Sequence, residues 1–175
     1  MKQLYLLRHA YTVPHNLGLS DFDRPLDERG QKESQEIAAY LIQKKITFDF
    51  VMCSAALRAQ ETLESLRPIL GTKAIEISGN FYNIPEDIIL RYLQQISDAK
   101  NKVLYIGHNP GIAFSILKFS PVIPPDLGGG ITPGTLIGME FSLDHWENLE
   151  WGTAEIIDIF QPGLLETKSL SPQES

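Results

Sequence analysis

Apolar residues along this chain fall into short unbroken runs separated by stretches with helical spacing, and the two patterns take turns. Leu4, Tyr5, Leu6 and Leu7 make the first run. It predicts a buried strand over residues 1–9 that turns polar at Arg8 and His9. A polar, turn-rich loop follows over 10–25, and a loop of that length inside a compact domain is usually functional. Asp27 is placed to cap a helix running to about Lys45, with Glu28 in its first turn and Ile37, Ala38, Leu41 and Ile42 on one face. A second strand is predicted over 48–53, then a helix over 56–70 with Ala59, Leu63, Leu66 and Leu70 buried. Residues 74–77 give a third, weaker strand. Pro85 starts a helix, since a missing N–H costs nothing there, and Ile88, Ile89, Tyr92, Leu93 and Ile96 form its stripe. Residues 102–106 form a buried fourth strand, closed by Gly107-His108-Asn109-Pro110, with a helix over 111–119. Residues 121–134 are rich in Pro and Gly and predict an irregular loop. Residues 135–141 and 154–160 predict a final antiparallel hairpin.

Strands alternating with helices specify an α/β layered fold. One domain is expected over 1–162. From 163 to 175 the chain is polar, with little to bury, and a disordered tail is expected.

Composition narrows the function. The chain has 175 residues, 43% of them hydrophobic, enough for one sizeable core. Its 15 basic and 22 acidic residues give a formal charge of -7. A broad basic face for nucleic acid is therefore not expected, and an anion site must be a local cluster. A single cysteine, Cys53, forms no internal disulfide and fits a reducing compartment. No run reaches the ~20 apolar residues of a membrane span, and the start is too short for a signal-peptide core. A cytoplasmic location is expected.

The chemistry concentrates at strand ends. Arg8 and His9 close the first strand, Arg58 lies in the first turn after the second, and His108 closes the fourth. In an open α/β sheet the carboxyl ends of parallel strands share one ligand-binding rim. Two guanidinium forks and two imidazoles on that rim suit a phosphoryl group. A charge pair ~4 Å apart is worth roughly 4 kcal/mol at a protein surface, so no metal is needed to hold it. The helix beginning near Arg58 adds its positive end.

Leu7-Arg8-His9-Ala10 resembles the signature of the histidine phosphatase superfamily, the phosphoglycerate-mutase-like fold. The resemblance continues in Asp23-Arg24-Pro25-Leu26 with Arg29-Gly30, in residues 54–62, and in Gly107-His108-Asn109-Pro110, and it spans about residues 3–160. Length and motif form are most similar to the SixA branch, phosphohistidine phosphatases acting on signalling proteins. The resemblance implies a three-layer α/β/α fold with a mostly parallel sheet and helices on both faces. It also implies His9 as nucleophile, with Arg8, Arg58 and His108 on the phosphoryl oxygens. No cofactor and no metal are expected. Thr12 and Asn16, in the first loop, are candidate substrate contacts. Phosphomonoesterases of this superfamily commonly carry an acid after the third strand. Here the stretch around Tyr82-Asn83 holds no carboxylate, leaving Glu86 and Asp87, which suit the exposed first turn of a helix, as the available acids, with Glu86 a candidate substrate contact. A missing acid matters less for phosphohistidine, because imidazole is a far better leaving group than an alcohol.

Rival chemistries fit less well. A cysteine phosphatase needs five residues between Cys and Arg, and only four separate Cys53 from Arg58. The histidines at 9, 15, 108 and 145 lack zinc-ligand spacing. Gly128-Gly129-Gly130 lacks the Lys of a phosphate-binding P-loop. The sequence thus predicts a phosphatase for phosphohistidine proteins. A small-molecule phosphomonoesterase on the same scaffold, or a non-catalytic phosphoprotein-binding module, stand as alternatives.

Overall fold

The computed structural model describes residues 1–15, 18–71, 74–127 and 130–163. Strands and helices alternate through β1 (Lys2–Arg8), α1 (Glu28–Gln43), β2 (Phe50–Ser54), α2 (Leu57–Leu70), β3 (Ala74–Ser78), α3 (Glu86–Leu93), β4 (Lys102–Gly107) and α4 (Gly111–Phe119). The hairpin strands β5 (Leu136–Phe141) and β6 (Ala154–Phe160) follow. One six-stranded sheet runs in the order β3-β2-β4-β1-β5-β6. Strands β1 to β4 pair in parallel, and β5 pairs antiparallel with both β1 and β6. This is the mostly parallel α/β sheet expected from the alternation.

Strand periodicity explains the layers. Successive side chains point to opposite faces, so Leu4 and Leu6 join Val103 and Tyr105 on one side, under Ile89 and Leu93 of α3 and Ile112, Ile116 and Phe119 of α4. Tyr5 and Leu7 join Leu104 and Ile106 on the other, under Ile37 and Leu41 of α1 and Leu63 and Leu66 of α2. Burying each such Leu or Ile side chain stabilises the fold by about 1.5–3 kcal/mol. Because both faces are covered, the middles of β1 (Leu4–Leu7) and β4 (Val103–Ile106) are unbroken apolar runs rather than alternating.

Asp27 caps α1, accepting from Gly30 N at 2.8 Å. Three boundaries differ from the expectation. Phe48 is buried but precedes β2, which begins at Phe50. Helix α1 ends at Gln43, Lys45 takes a left-handed turn at φ 55°, and Ile42 is exposed because only the Ile37–Leu41 edge faces the sheet. Ile96 packs on the core from beyond the end of α3. The predicted tail lies outside the described residues apart from Gly163. No helix among the described residues is long and apolar enough to cross a membrane.

Candidate active site

The carboxyl ends of β1, β2 and β4 adjoin, because β4 lies between the other two in the sheet. That adjacency brings Arg8, His9, Arg58 and His108 to the lining of one cavity of about 390 Å³. The backbone of His9 is held on both sides: its N–H donates to Gly107 O at 3.1 Å, and its carbonyl accepts from Gly134 N at 3.0 Å.

The tautomers follow from the partners. His9 Nδ1 lies 2.7 Å from Ala10 O, an acceptor, so Nδ1 carries the proton and Nε2 is left unprotonated, with a lone pair that accepts from Arg58. Ala10 is itself fixed: its N–H donates to Thr62 Oγ1 at 3.1 Å, and that hydroxyl donates to Arg58 O at 2.7 Å. Arg58 Nε donates to His9 Nε2 at 3.2 Å, and Arg58 Nη2 donates to His108 Nδ1 at 3.2 Å. A guanidinium can only donate, so the proton on His108 sits on Nε2, which donates to Ser54 Oγ at 2.7 Å. The two imidazole centroids are 5.1 Å apart.

Both imidazoles are held neutral. Burial, with Arg58, Arg8 and Arg24 nearby, pushes His9 down to about 3, although its bond to the Ala10 carbonyl works the other way. Burial likewise lowers His108 to about 3, helped by His9 and Arg58. A neutral ring with an accessible nitrogen lone pair is a nucleophile; a protonated ring is not.

Arg8 donates from Nη1 to Ile131 O at 2.7 Å, and its Nε is buried without a hydrogen-bond partner. The Pro/Gly-rich loop is therefore part of the site wall, since Ile131 O also accepts from Asn109 Nδ2 at 3.0 Å. A buried donor left unpaired is costly, and here it belongs to a cation on the rim of the cavity.

Residues 4–81 match the family model of the histidine phosphatase superfamily (branch 1). The chain resembles that superfamily over this stretch. It is 26% identical to the phosphohistidine phosphatase SixA of Escherichia coli over 133 residues, 71% of this chain and 78% of that one. An uncharacterised Mycobacterium tuberculosis protein is 24% identical over 161 residues, 89% of this chain and 99% of the relative. Among solved structures, the protein histidine phosphatase SixA complexed with tungstate superposes with a TM-score of 0.76 at 23% identity, covering 93% of this chain and 99% of that one. The three-layer phosphoglycerate-mutase-like architecture is thus the fold of this chain.

The remaining candidates divide. Thr12 lines the cavity, and its Oγ1 accepts from Arg24 Nη1 at 3.0 Å. Asn16 lies outside the described residues. Glu86 is corrected: its carboxylate pairs with Lys118 at 2.7 Å and does not line the cavity, because α3 turns that side chain toward α4. His15 is exposed and lies 3.6 Å from Asp21, while His145 pairs with Asp98 at 2.8 Å away from the site. Cys53 is buried and free, and burial pushes its thiol up to about 12, which removes thiolate chemistry. Among the described residues no group of three or more His, Cys, Asp or Glu could hold a metal ion.

Three contributors went unrecognised in the sequence. Ser54 is fully buried and orients His108. Asp21 accepts from Arg58 Nη2 at 2.9 Å and from Tyr82 OH at 2.5 Å, while its Oδ1 accepts from Arg24 Nε at 3.1 Å. Tyr82 also sets its ring edge-on to His108, centroids 5.4 Å apart. The sequence cues to Ser54 are its place at the end of a strand and at the start of the 54–62 motif, and neither gives it a role. Asp21 sits in an aperiodic loop with no cue at all.

Proposed function

We propose that this phosphatase transfers a phosphoryl group to His9 Nε2 and then hydrolyses the phosphoenzyme, with phosphohistidine on a protein as its substrate. The observation that carries the reading is the Arg58 guanidinium, which touches the free nitrogens of both His9 and His108. A phosphoryl group entering there meets a lone pair for in-line attack. Arg8 and Arg58 surround its oxygens, where charge is stabilised during transfer, and His108 positions the Arg58 fork through Nδ1.

The bond from phosphorus to the substrate nitrogen breaks as the bond to His9 Nε2 forms. His9 keeps its Nδ1–H on the Ala10 carbonyl throughout. The positive charge appearing on the ring is thereby shared with that carbonyl, and the ring is already protonated for departure when water attacks phosphorus. Inorganic phosphate leaves, and His9 returns neutral.

Two features favour phosphohistidine over an ester. Glu86 is spent on Lys118. Asp21, the carboxylate that lines the cavity among the described residues, is ionised: burial raises it, but the hydrogen bonds from Tyr82 and Arg58 and the charge of Arg24 outweigh that and hold it well below the usual carboxylate range. Neither supplies a proton to an alkoxide. A phosphoimidazole protonated on its second nitrogen departs as neutral imidazole and needs none. The likeness to the E. coli phosphohistidine phosphatase supports the same substrate class, and the free, buried cysteine fits a cytoplasmic enzyme.

The test compares kcat/KM on a phosphohistidine protein and on a panel of phosphorylated metabolites, with His9→Ala as the blank. Preference for the phosphohistidine protein is expected. Preference for a metabolite would assign a small-molecule phosphomonoesterase, and binding of the phosphoprotein with no turnover of any substrate would assign a binding module.

A further inference from the structure

Asp21 is an anion inside a cavity built for anions, and the bonds it makes are those a phosphoryl group needs. Four N–H groups of Arg58 are occupied, by His9 Nε2, His108 Nδ1, the backbone carbonyl of Asp21 and its Oδ2. The Nη2 edge that faces the imidazoles is the edge that holds the carboxylate. Its other oxygen holds Arg24, with Nε at 3.1 Å and Nη2 at 3.0 Å, and Arg24 in turn grips the first loop through Thr12 Oγ1 and Val13 O. Each carboxylate oxygen thus accepts two donors, which fills its capacity. A saturated carboxylate does not bind substrate. It occupies the cations that would.

We propose that Asp21 is an internal counter-anion that neutralises Arg58 in the empty pocket, yields Nη2 to an arriving phosphoryl group and reclaims it to displace the inorganic phosphate product. The inference rests on the phosphatase reading above, since it takes the cavity as the phosphoryl site. Two anions a few ångströms apart raise each other's energy. Asp21 therefore weakens the hold on every bound anion. Two arginines around a neutral histidine would otherwise bind the product tightly and stall turnover.

The test measures binding of orthophosphate to the full chain by calorimetry, together with its inhibition of aryl phosphate hydrolysis. Asp21→Asn keeps an acceptor oxygen for Tyr82 and removes the charge. It is expected to bind orthophosphate about tenfold tighter, a conservative share of the interaction between charges at this range. Asp21→Ala is expected to move the same way, and thermal unfolding verifies that both variants are folded. Asp23→Asn is the control for loop charge, because Asp23 pairs with Ser20, and it is expected to stay within twofold. Unchanged or weaker phosphate binding in both folded Asp21 variants would overturn the proposal while leaving the phosphatase intact. A wild-type chain that neither binds orthophosphate nor hydrolyses an aryl phosphate would overturn the phosphatase reading itself, and this inference with it.

Discussion

Arg58 donates its Nε–H to Nε2 of His9 at 3.2 Å, so a cation suited to phosphoryl oxygens already rests on the atom suited to attack phosphorus. One side chain thereby couples binding to chemistry. It also helps hold the His9 ring neutral, because a like charge nearby disfavours protonation.

Removing the proposed nucleophile separates binding from turnover. His9→Ala is expected to lower kcat by at least about 10³-fold and to form none of the acid-labile phosphoenzyme that labelled substrate is expected to give with the wild type. Substantial turnover in that variant would remove His9 from the mechanism.

Arg58→Lys keeps the charge but cannot reach both imidazoles and Asp21 from one planar fork. A fall in kcat of about 10²–10³-fold is expected, the range for losing a preorganised donor to a transition-state oxyanion. A lysine variant within tenfold of wild type would reduce Arg58 to a point charge.

Ser54→Ala removes the acceptor for His108 Nε2–H. The loss of one such bond costs roughly 1 kcal/mol, about fivefold in kcat/KM. Ser54→Thr restores the hydroxyl and is expected to recover most of it. Equal activity in the Ala and Thr variants, whatever its level, would show that orientation of His108 is not the cause.

The neutral histidines set a pH dependence. In the unfolded chain an imidazole titrates near 6.5, whereas His9 and His108 are lowered to about 3 in the folded protein. Between those values the unfolded state binds more protons, so stability rises with pH through this window and falls on acidification, by up to about 1.4 kcal/mol per pH unit per ring. Asp21, held below the usual carboxylate range, adds loss of the same sign at the acid end. Nitrogen NMR at pH 5.5 is expected to show His9 and His108 neutral while His145, raised by its bond to Asp98, is protonated. A protonated His9 at that pH would contradict the buried, arginine-flanked setting.

Gly30 reports on the first loop. A Cβ there would lie 1.9 Å from Tyr11 O, so Gly30→Ala must displace backbone next to the site. A loss of about 1–3 kcal/mol is expected in urea unfolding. Gly79→Ala, where nothing lies within 4 Å of the added carbon, is the matched control.

The strand-to-helix alternation was legible because fully buried strands give unbroken apolar runs, as in Leu4–Leu7 and Val103–Ile106. Arg8, His9, Arg58 and His108 were legible because a sheet's topology puts parallel strand ends on one rim. Asp21 was not, because its place depends on the path of an aperiodic loop. The Glu86–Lys118 pair joins helices 32 positions apart, a contact that no local pattern announces. Ile42 misled because a helix face one residue wider looks the same in a string of letters.

His9 hangs from a strand with partners on both sides, strapped by Gly107 and Gly134, while Tyr11, Thr12, Asp21, Arg24 and Pro133 bring the loops to the cavity wall. Catalytic power and substrate choice are therefore inherited as separate parts. A descendant that keeps Ala10 and Gly134 can rewrite the rest of either loop and acquire a new clientele without re-aiming His9.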